Sequence, residues 1–163
     1  MTALRSATVA DAPAIGEVHV ASWQAAYAGL MPEDYLARLS AEARAASWGR
    51  RIGGNVGRVL VAEDDGTIAG FAAYGLDEGQ LYALYLLPRF WGRGLGRSLH
   101  DRVVEDLAAA GRDSAVLWVL STNERAKAFY VRQGWAPDGA TQTETIDEGR
   151  VTLEEARFRR PLP

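Results

Sequence analysis

The sequence predicts an α/β protein of the α+β kind, in which one mixed, mostly antiparallel sheet is flanked by helices. Three observations predict it. Two strand-like apolar runs joined by a tight turn open the middle of the chain; an aromatic-rich run then passes through three alternate glycines into a helical pattern; a strand, a helix and a hairpin close it. With 163 residues, 48% of them apolar, the chain has the material for one domain over residues 1–163 with a substantial core, and too little for two.

In order, a short strand is expected over residues 3–6. Asp11 and Pro13 suit the cap and first turn of a helix over 12–27. On that helix Ile15, Val18, Ser22 and Ala25 share a core face. His19, Trp23 and Tyr27, spaced by four, form a second stripe that suits a pocket wall or simple packing under the next loop. Residues 29–32 break the pattern, a short helical piece follows over 33–39, and Ser40 suits the cap of a helix reaching Ile52. Residues 23–48 thus read as a helical lid. Strands over 59–63 and 68–74 are joined by Asp64-Asp65-Gly66-Thr67, a hairpin signal, and a third antiparallel strand is expected over 81–87. After the glycines, Leu95, Leu99, Val103 and Leu107 repeat every four residues, and Gly111 is placed to end that helix. Residues 115–120 read as a strand, and Asn123 as the cap of a helix over 124–133 closed by Gly134. Residues 141–146 and 151–158, about a turn at Asp147-Glu148-Gly149, read as the final hairpin.

The formal net charge of −3 argues against nucleic-acid binding by bulk electrostatics, although Arg93 and Arg97 suit a local basic patch. There is no cysteine, so disulfides, thiolate metal sites and a covalent cysteine mechanism are excluded, and no metal site is expected. No apolar stretch approaches the roughly 20 residues that span a bilayer, and no basic segment with a long apolar run opens the chain; a cytoplasmic protein without membrane contact is expected.

The chemistry concentrates in residues 81–99, LYALYLLPRFWGRGLGRSL. Gly92, Gly94 and Gly96 let a ligand approach the backbone, and the amides that open a helix have no partners of their own, so a phosphate can accept from several at once. Alternate glycines before a helix also fit a plain tight turn. Neither the dinucleotide-binding pattern nor the lysine of a nucleotide-triphosphate loop is present.

Trp91-Gly92-Arg93-Gly94-Leu95-Gly96, read with Asn123 to Tyr130 and Gly134-Trp135, resembles the GCN5-related N-acetyltransferase (GNAT) family over essentially the whole chain. The family's acetyl-CoA signature is Gln or Arg, two free positions, Gly, one free position, then Gly or Ala, and Trp91 departs from its first place. The resemblance implies acetyl-CoA as co-substrate, with main-chain groups of Leu84 and Leu86 beside the pantetheine arm. It places the amides of Gly92, Arg93, Gly94, Leu95 and Gly96, with Arg97, around the pyrophosphate, Asn123 on the arm, and Tyr130 at the thioester sulfur. It also implies direct transfer to a primary amine of a small molecule or a peptide N-terminus, by a monomer or homodimer. An acyl-CoA-binding regulatory module without catalysis is the alternative, and an interaction scaffold a third class. A tyrosine near pKa 10 and a thiol near 8.5 put full proton transfer uphill by roughly 2 kcal/mol, so hydrogen-bonding to the emerging thiolate suits Tyr130 better. An amine like that of lysine costs roughly 4.6 kcal/mol to deprotonate at neutral pH. Glu78, with Asp77 and His19 as rivals, is the expected base, and His19, Trp23, Tyr27, Tyr74 and Trp118 are the expected acceptor-pocket walls.

Overall fold

The alternating runs pair as strands, and the four-residue periodicities close over them as helices. The computed structural model describes residues 2–163. In chain order its elements are β1 (Thr2–Ser6), α1 (Ala12–Ala26), α2 (Glu33–Ala37), α3 (Ala41–Gly53), β2 (Arg58–Asp64), β3 (Thr67–Gly75), β4 (Gln80–Leu86), α4 (Leu95–Ala109), β5 (Ser114–Leu120), α5 (Glu124–Arg132), β6 (Ala136–Ile146) and β7 (Val151–Pro161). Among the described residues one seven-stranded sheet has the order β1-β2-β3-β4-β5-β7-β6. Only β4 and β5 run parallel, so the sheet is mixed and mostly antiparallel, as expected.

The sheet is covered on both faces. On one, Leu99, Val103 and Leu107 of α4 pack on Leu60, Ala72, Tyr74, Leu81, Leu117 and Val119, with Ala126 and Tyr130 of α5 beside them. On the other, Ile15 and Val18 of α1 and Trp48 and Ile52 of α3 cover Val61, Phe71, Ala73 and Tyr85. Helices α1 and α3 touch closely because Gly16 has no side chain. A Cβ there would lie 2.4 Å from the Ala41 carbonyl oxygen and 2.8 Å from the Ala45 amide nitrogen, too near for any residue but glycine. That contact fixes where α3 presents Arg44, Trp48 and Arg51.

A bulge decides which way β4 faces. Tyr74 pairs with Leu81 and Ala73 with Ala83, leaving Tyr82 as the extra residue. The insertion breaks the two-residue alternation: Leu81 joins the α4 face, and beyond it Leu84 and Leu86 do so too, while Ala83 and Tyr85 turn to α1.

Three local expectations change. Ala25 is exposed, because the core stripe of α1 continues through Ala26. The Asp11 carboxylate does not cap α1; it accepts from the Thr8 amide at 2.7 Å and from both terminal nitrogens of Arg5 at 2.7 and 2.8 Å. The closing hairpin is longer than its alternation suggested, and β7 inserts between β5 and β6. No helix among the described residues is long and apolar enough to cross a membrane.

Candidate active site

Strands β4 and β5 pair only at Gln80–Val116 and Leu81–Leu117 and then diverge. Into the wedge opens a cleft of about 900 Å³ lined by β4, β5, α1, α3, α5, the glycine turn and the β6–β7 hairpin. The Leu87 amide bonds to Ala69 in β3, and the Leu86 carbonyl instead accepts from the Trp91 indole at 3.0 Å. Because strand groups alternate in direction, the main-chain groups of Leu84 and the Leu86 amide face the wedge. An extended chain has a free strand edge to pair with there.

The glycine turn stands at the open end of that edge. Gly92 and Gly94 have φ of +76° and +84°, and a Cβ at either would meet nothing within 4 Å; the backbone conformation, not crowding, requires glycine. The turn delivers the chain to α4, whose first-turn amides have no intrahelical partners. Gly92, Gly94, Gly96 and Arg97 line the cleft. The Leu95 side chain is buried against Ala69 and Phe90, so only its backbone faces the turn. Arg93 lies over Phe90 at 5.2 Å and is not part of the cleft wall, and the exposed Arg97 pairs with Asp101 at 3.7 Å.

Trp91 has a clear place. Its N–H ties the turn to the end of β4, and the Arg125 guanidinium sits 3.6 Å from the centre of its ring. No carboxylate among the described residues pairs with Arg125, which the sequence reading did not single out. An arginine from α5 is thus stacked on the tryptophan of the turn.

Farther into the wedge, Asn123 caps α5, its Oδ1 accepting from the Ala126 amide at 3.1 Å, and is 7% exposed. The cap engages its oxygen, leaving the amide nitrogen as the group able to meet a ligand. Tyr130, two helical turns along, lines the cleft with a hydroxyl that bonds to no described residue. Burial, and then the neighbouring Tyr85 hydroxyl, push its pKa well above the ordinary tyrosine range. Tyr27 is raised by burial and by Tyr85 and Tyr130, with Asn123 opposing; Tyr85 is raised by burial first and also by Glu155. The Tyr27, Tyr85 and Tyr130 hydroxyls therefore lie near one another, with Asn123 near Tyr27 and Glu155 near Tyr27 and Tyr85.

The model of the Acetyltransferase (GNAT) family matches residues 20–135, which include the wedge, the turn and Tyr130. The chain belongs to the GNAT family of acetyltransferases. It is 34% identical over 163 residues, 95% of this chain and 90% of the relative, to the uncharacterized N-acetyltransferase YuaI of Bacillus subtilis. A GCN5-related N-acetyltransferase from Rhodopseudomonas palustris superimposes with a TM-score of 0.84 at 26% identity, covering 99% of this chain and 96% of that one. The PaiA N-acetyltransferase of Thermoplasma acidophilum, determined in complex with coenzyme A, gives 0.76 at 22% identity and 99% coverage of both chains.

The walls expected to hold the acceptor differ in part from the sequence expectation. His19, Trp23, Tyr27 and Trp118 line it, but Tyr74 does not: Tyr74 is 1% exposed in the core on the α4 face, its hydroxyl donating to Asp106. Glu78 is exposed in the loop before β4, outside the cleft wall, at the closed end of the wedge. Six residues separate it from Leu84, about 20 Å of extended chain. The neighbour that it perturbs is the Tyr82 hydroxyl. Asp77 lies in the same loop. His19 accepts the Trp48 N–H on Nδ1 at 3.0 Å, and burial with nearby Arg44 lowers its pKa to about 4, which leaves a neutral ring with the proton on Nε2. That nitrogen is a donor, not a base.

The carboxylates that do face the cleft are Glu144 of β6 and Glu155 of β7. Burial first, then Glu155, raises the Glu144 pKa. Sequence reading passed over both because each sits in an alternating polar strand; only the pairing of Gln142 with Glu155 and of Glu144 with Leu153 sets them on one face. Arg44 and Arg51, with Trp48 between them at helical spacing, line the opposite wall. Their i, i+4, i+7 pattern was a usable signal.

Proposed function

We propose that this protein transfers the acetyl group of acetyl-CoA directly to a primary amine of a small molecule or of a peptide N-terminus. The observation that carries the proposal is the free β4 edge, which leads from the glycine turn into the cleft that Tyr130, its hydroxyl unpartnered, also lines. Acetyl-CoA is the donor and supplies an activated thioester. Leu84 and the Leu86 amide suit the pantetheine arm as an added strand, and a β4 amide suits polarisation of the carbonyl. The amides from Gly92 to Gly96 suit the pyrophosphate; converging donors count for more there than the helix dipole, which is worth about 0.3–1 kcal/mol when exposed. Arg125, held over Trp91, adds the cation that the turn lacks at its first position.

Tyr130 donates a hydrogen bond to the leaving sulfur. Its raised pKa keeps the hydroxyl protonated at neutral pH, so it stabilises thiolate without having to surrender its own proton. Glu155, which lies near the Tyr27 and Tyr85 hydroxyls and accepts from Gln142 on one oxygen, takes the amine proton, directly or through water, in place of Glu78. The test is a thiol-release assay over a panel of amines, run beside calorimetry with acetyl-CoA. Turnover of an amine that is lost in Tyr130→Phe while acetyl-CoA still binds is the expected result. No acetyl-CoA binding at millimolar concentration overturns the reading, and binding without any turnover leaves an acyl-CoA module.

A further inference from the structure

The acceptor half of the cleft has two walls of opposite sign. On the β6–β7 side stand the carboxylates of Glu144 and Glu155. On the α1–α3 side Arg44, Arg51, His19 Nε2 and Trp23 Nε1 all present N–H groups. Arg44 lies 5.8 Å from the Trp23 ring centre, and Arg51 lies over Trp48 and Tyr82 at 5.8 and 5.1 Å; neither pairs with a carboxylate among the described residues. His19 Nε2, Trp23 Nε1 and Arg51 Nε are buried in this wall without a hydrogen-bond partner, the Trp23 N–H lying near the Tyr85 hydroxyl but outside bonding geometry. Three of the four buried side-chain polar atoms left unpaired among the described residues thus belong to one wall of one cleft, and all three carry N–H.

Unpaired buried donors are costly, typically about 1–3 kcal/mol each, and a ligand that supplies the acceptor removes that cost. Two arginines without a counter-ion in the same wall add positive charge. Resting on the acetyltransferase reading above, we infer that the acceptor is a zwitterion: an amine that also bears a carboxylate. Its carboxylate meets Arg44 and the donors of the α1–α3 wall, and its ammonium meets Glu144 and Glu155 beside Tyr130. The aromatic lining of Trp23, Tyr27, Trp48 and Tyr85, with Met31, suits an apolar or aromatic side chain, so the class is the free amino acids and short peptides of that type. An amine with no anionic group leaves the donor wall unsatisfied.

Binding to the CoA-saturated protein, followed by the fluorescence of the tryptophans in this wall, tests the inference without requiring turnover. The probes are L-phenylalanine with phenethylamine and L-leucine with isoamylamine, pairs that differ only in the carboxylate. The carboxylate member is expected to bind at least tenfold more tightly. Arg44→Gln reduces that preference to within about threefold and leaves CoA affinity unchanged, and Arg44→Lys keeps part of it. Equal or weaker binding of the carboxylate members overturns the inference, as does equal loss for both members in Arg44→Gln or no saturable binding of either amino acid up to tens of millimolar. Failure of CoA itself to bind is a separate result, which sinks the donor reading instead.

Discussion

The guanidinium of Arg125, from α5, lies 3.6 Å above the ring of Trp91, from the glycine turn, and the same indole bonds to the last carbonyl of β4. The pair joins three elements that border the donor half of the cleft. A desolvated cation–π contact is worth about 2 kcal/mol and an exposed one about 0.5–1. Arg125→Ala should therefore raise the KM and Kd for acetyl-CoA about 3- to 30-fold, with the acceptor KM unchanged. Trp91→Ala, which also releases the Leu86 carbonyl, should cost at least as much. Isothermal titration with acetyl-CoA reads both, and unaltered affinity in Arg125→Ala removes the arginine from the donor site.

Tyr130→Phe removes one hydroxyl and keeps the ring that packs with Phe129 and Trp135. A hydrogen bond to a charged group contributes about 1.5–3 kcal/mol, so kcat should fall roughly 10- to 100-fold with little change in the KM for acetyl-CoA. The Tyr130 hydroxyl is held protonated by burial, so the deficit should be the same at pH 6.5 and pH 9. A deficit that appears only on one side of that range would show that its proton is the one transferred.

The local features of the proposed donor half, its turn, cap and strand, were legible in the sequence because each is set by neighbouring residues. Gly92 and Gly94 announce their positive φ, Asn123 announces a cap, and the 81–87 run announces a strand whose edge holds Leu84 and Leu86. The acceptor half was not, because its groups are assembled from distant segments. Glu155 reaches the cleft only since β7 inserts between β5 and β6, and Arg44 only since Gly16 lets α3 lie close on α1. Tyr74 was misplaced for a related reason: its strand is buried on both faces, so alternation alone does not say which face is the pocket. Most of the fold was readable, since its strand and helix periods are clean; the insertion of β7 and the bulge at Tyr82 are pairing events with no local signature.

Glu144 should shape the acid limb of the pH profile. Burial first and then Glu155 raise Glu144 above the ordinary carboxylate range, so Glu144 loses its charge at a higher pH than an isolated glutamate would. Glu155→Gln should lower kcat/KM at least tenfold at neutral pH. By removing the like charge it should also let Glu144 ionise more easily, moving the residual acid limb to lower pH. Glu78→Gln, altered at an exposed loop outside the cleft, should leave the profile where it is. Profiles of kcat/KM from pH 5 to 9 for the three proteins decide between these glutamates.

His19 should also make the fold sensitive to mild acid. Its pKa is depressed from 6.5 to about 4 by burial and by Arg44, so between those values the unfolded chain binds more protons than the folded one. The stability contributed by the neutral ring is fully present above pH 6.5 and is lost as the pH falls toward 4, by at most about 3 kcal/mol. His100, buried and accepting the Trp135 N–H at 2.8 Å, is lowered too and acts in the same direction. Asp11, held at about 2 by Arg5, contributes its loss only below pH 4, and Glu144, raised by burial and then by Glu155, acts against the histidines. His19→Gln keeps an acceptor for the Trp48 N–H and removes the titration. The drop in unfolding free energy between pH 7.5 and 5, measured by urea denaturation, should therefore shrink by about 1 kcal/mol or more in His19→Gln. An unchanged drop would mean that His19 takes up its proton inside the folded protein, and that the wall it belongs to is more open to water than its packing against Trp23, Trp48 and Tyr85 implies.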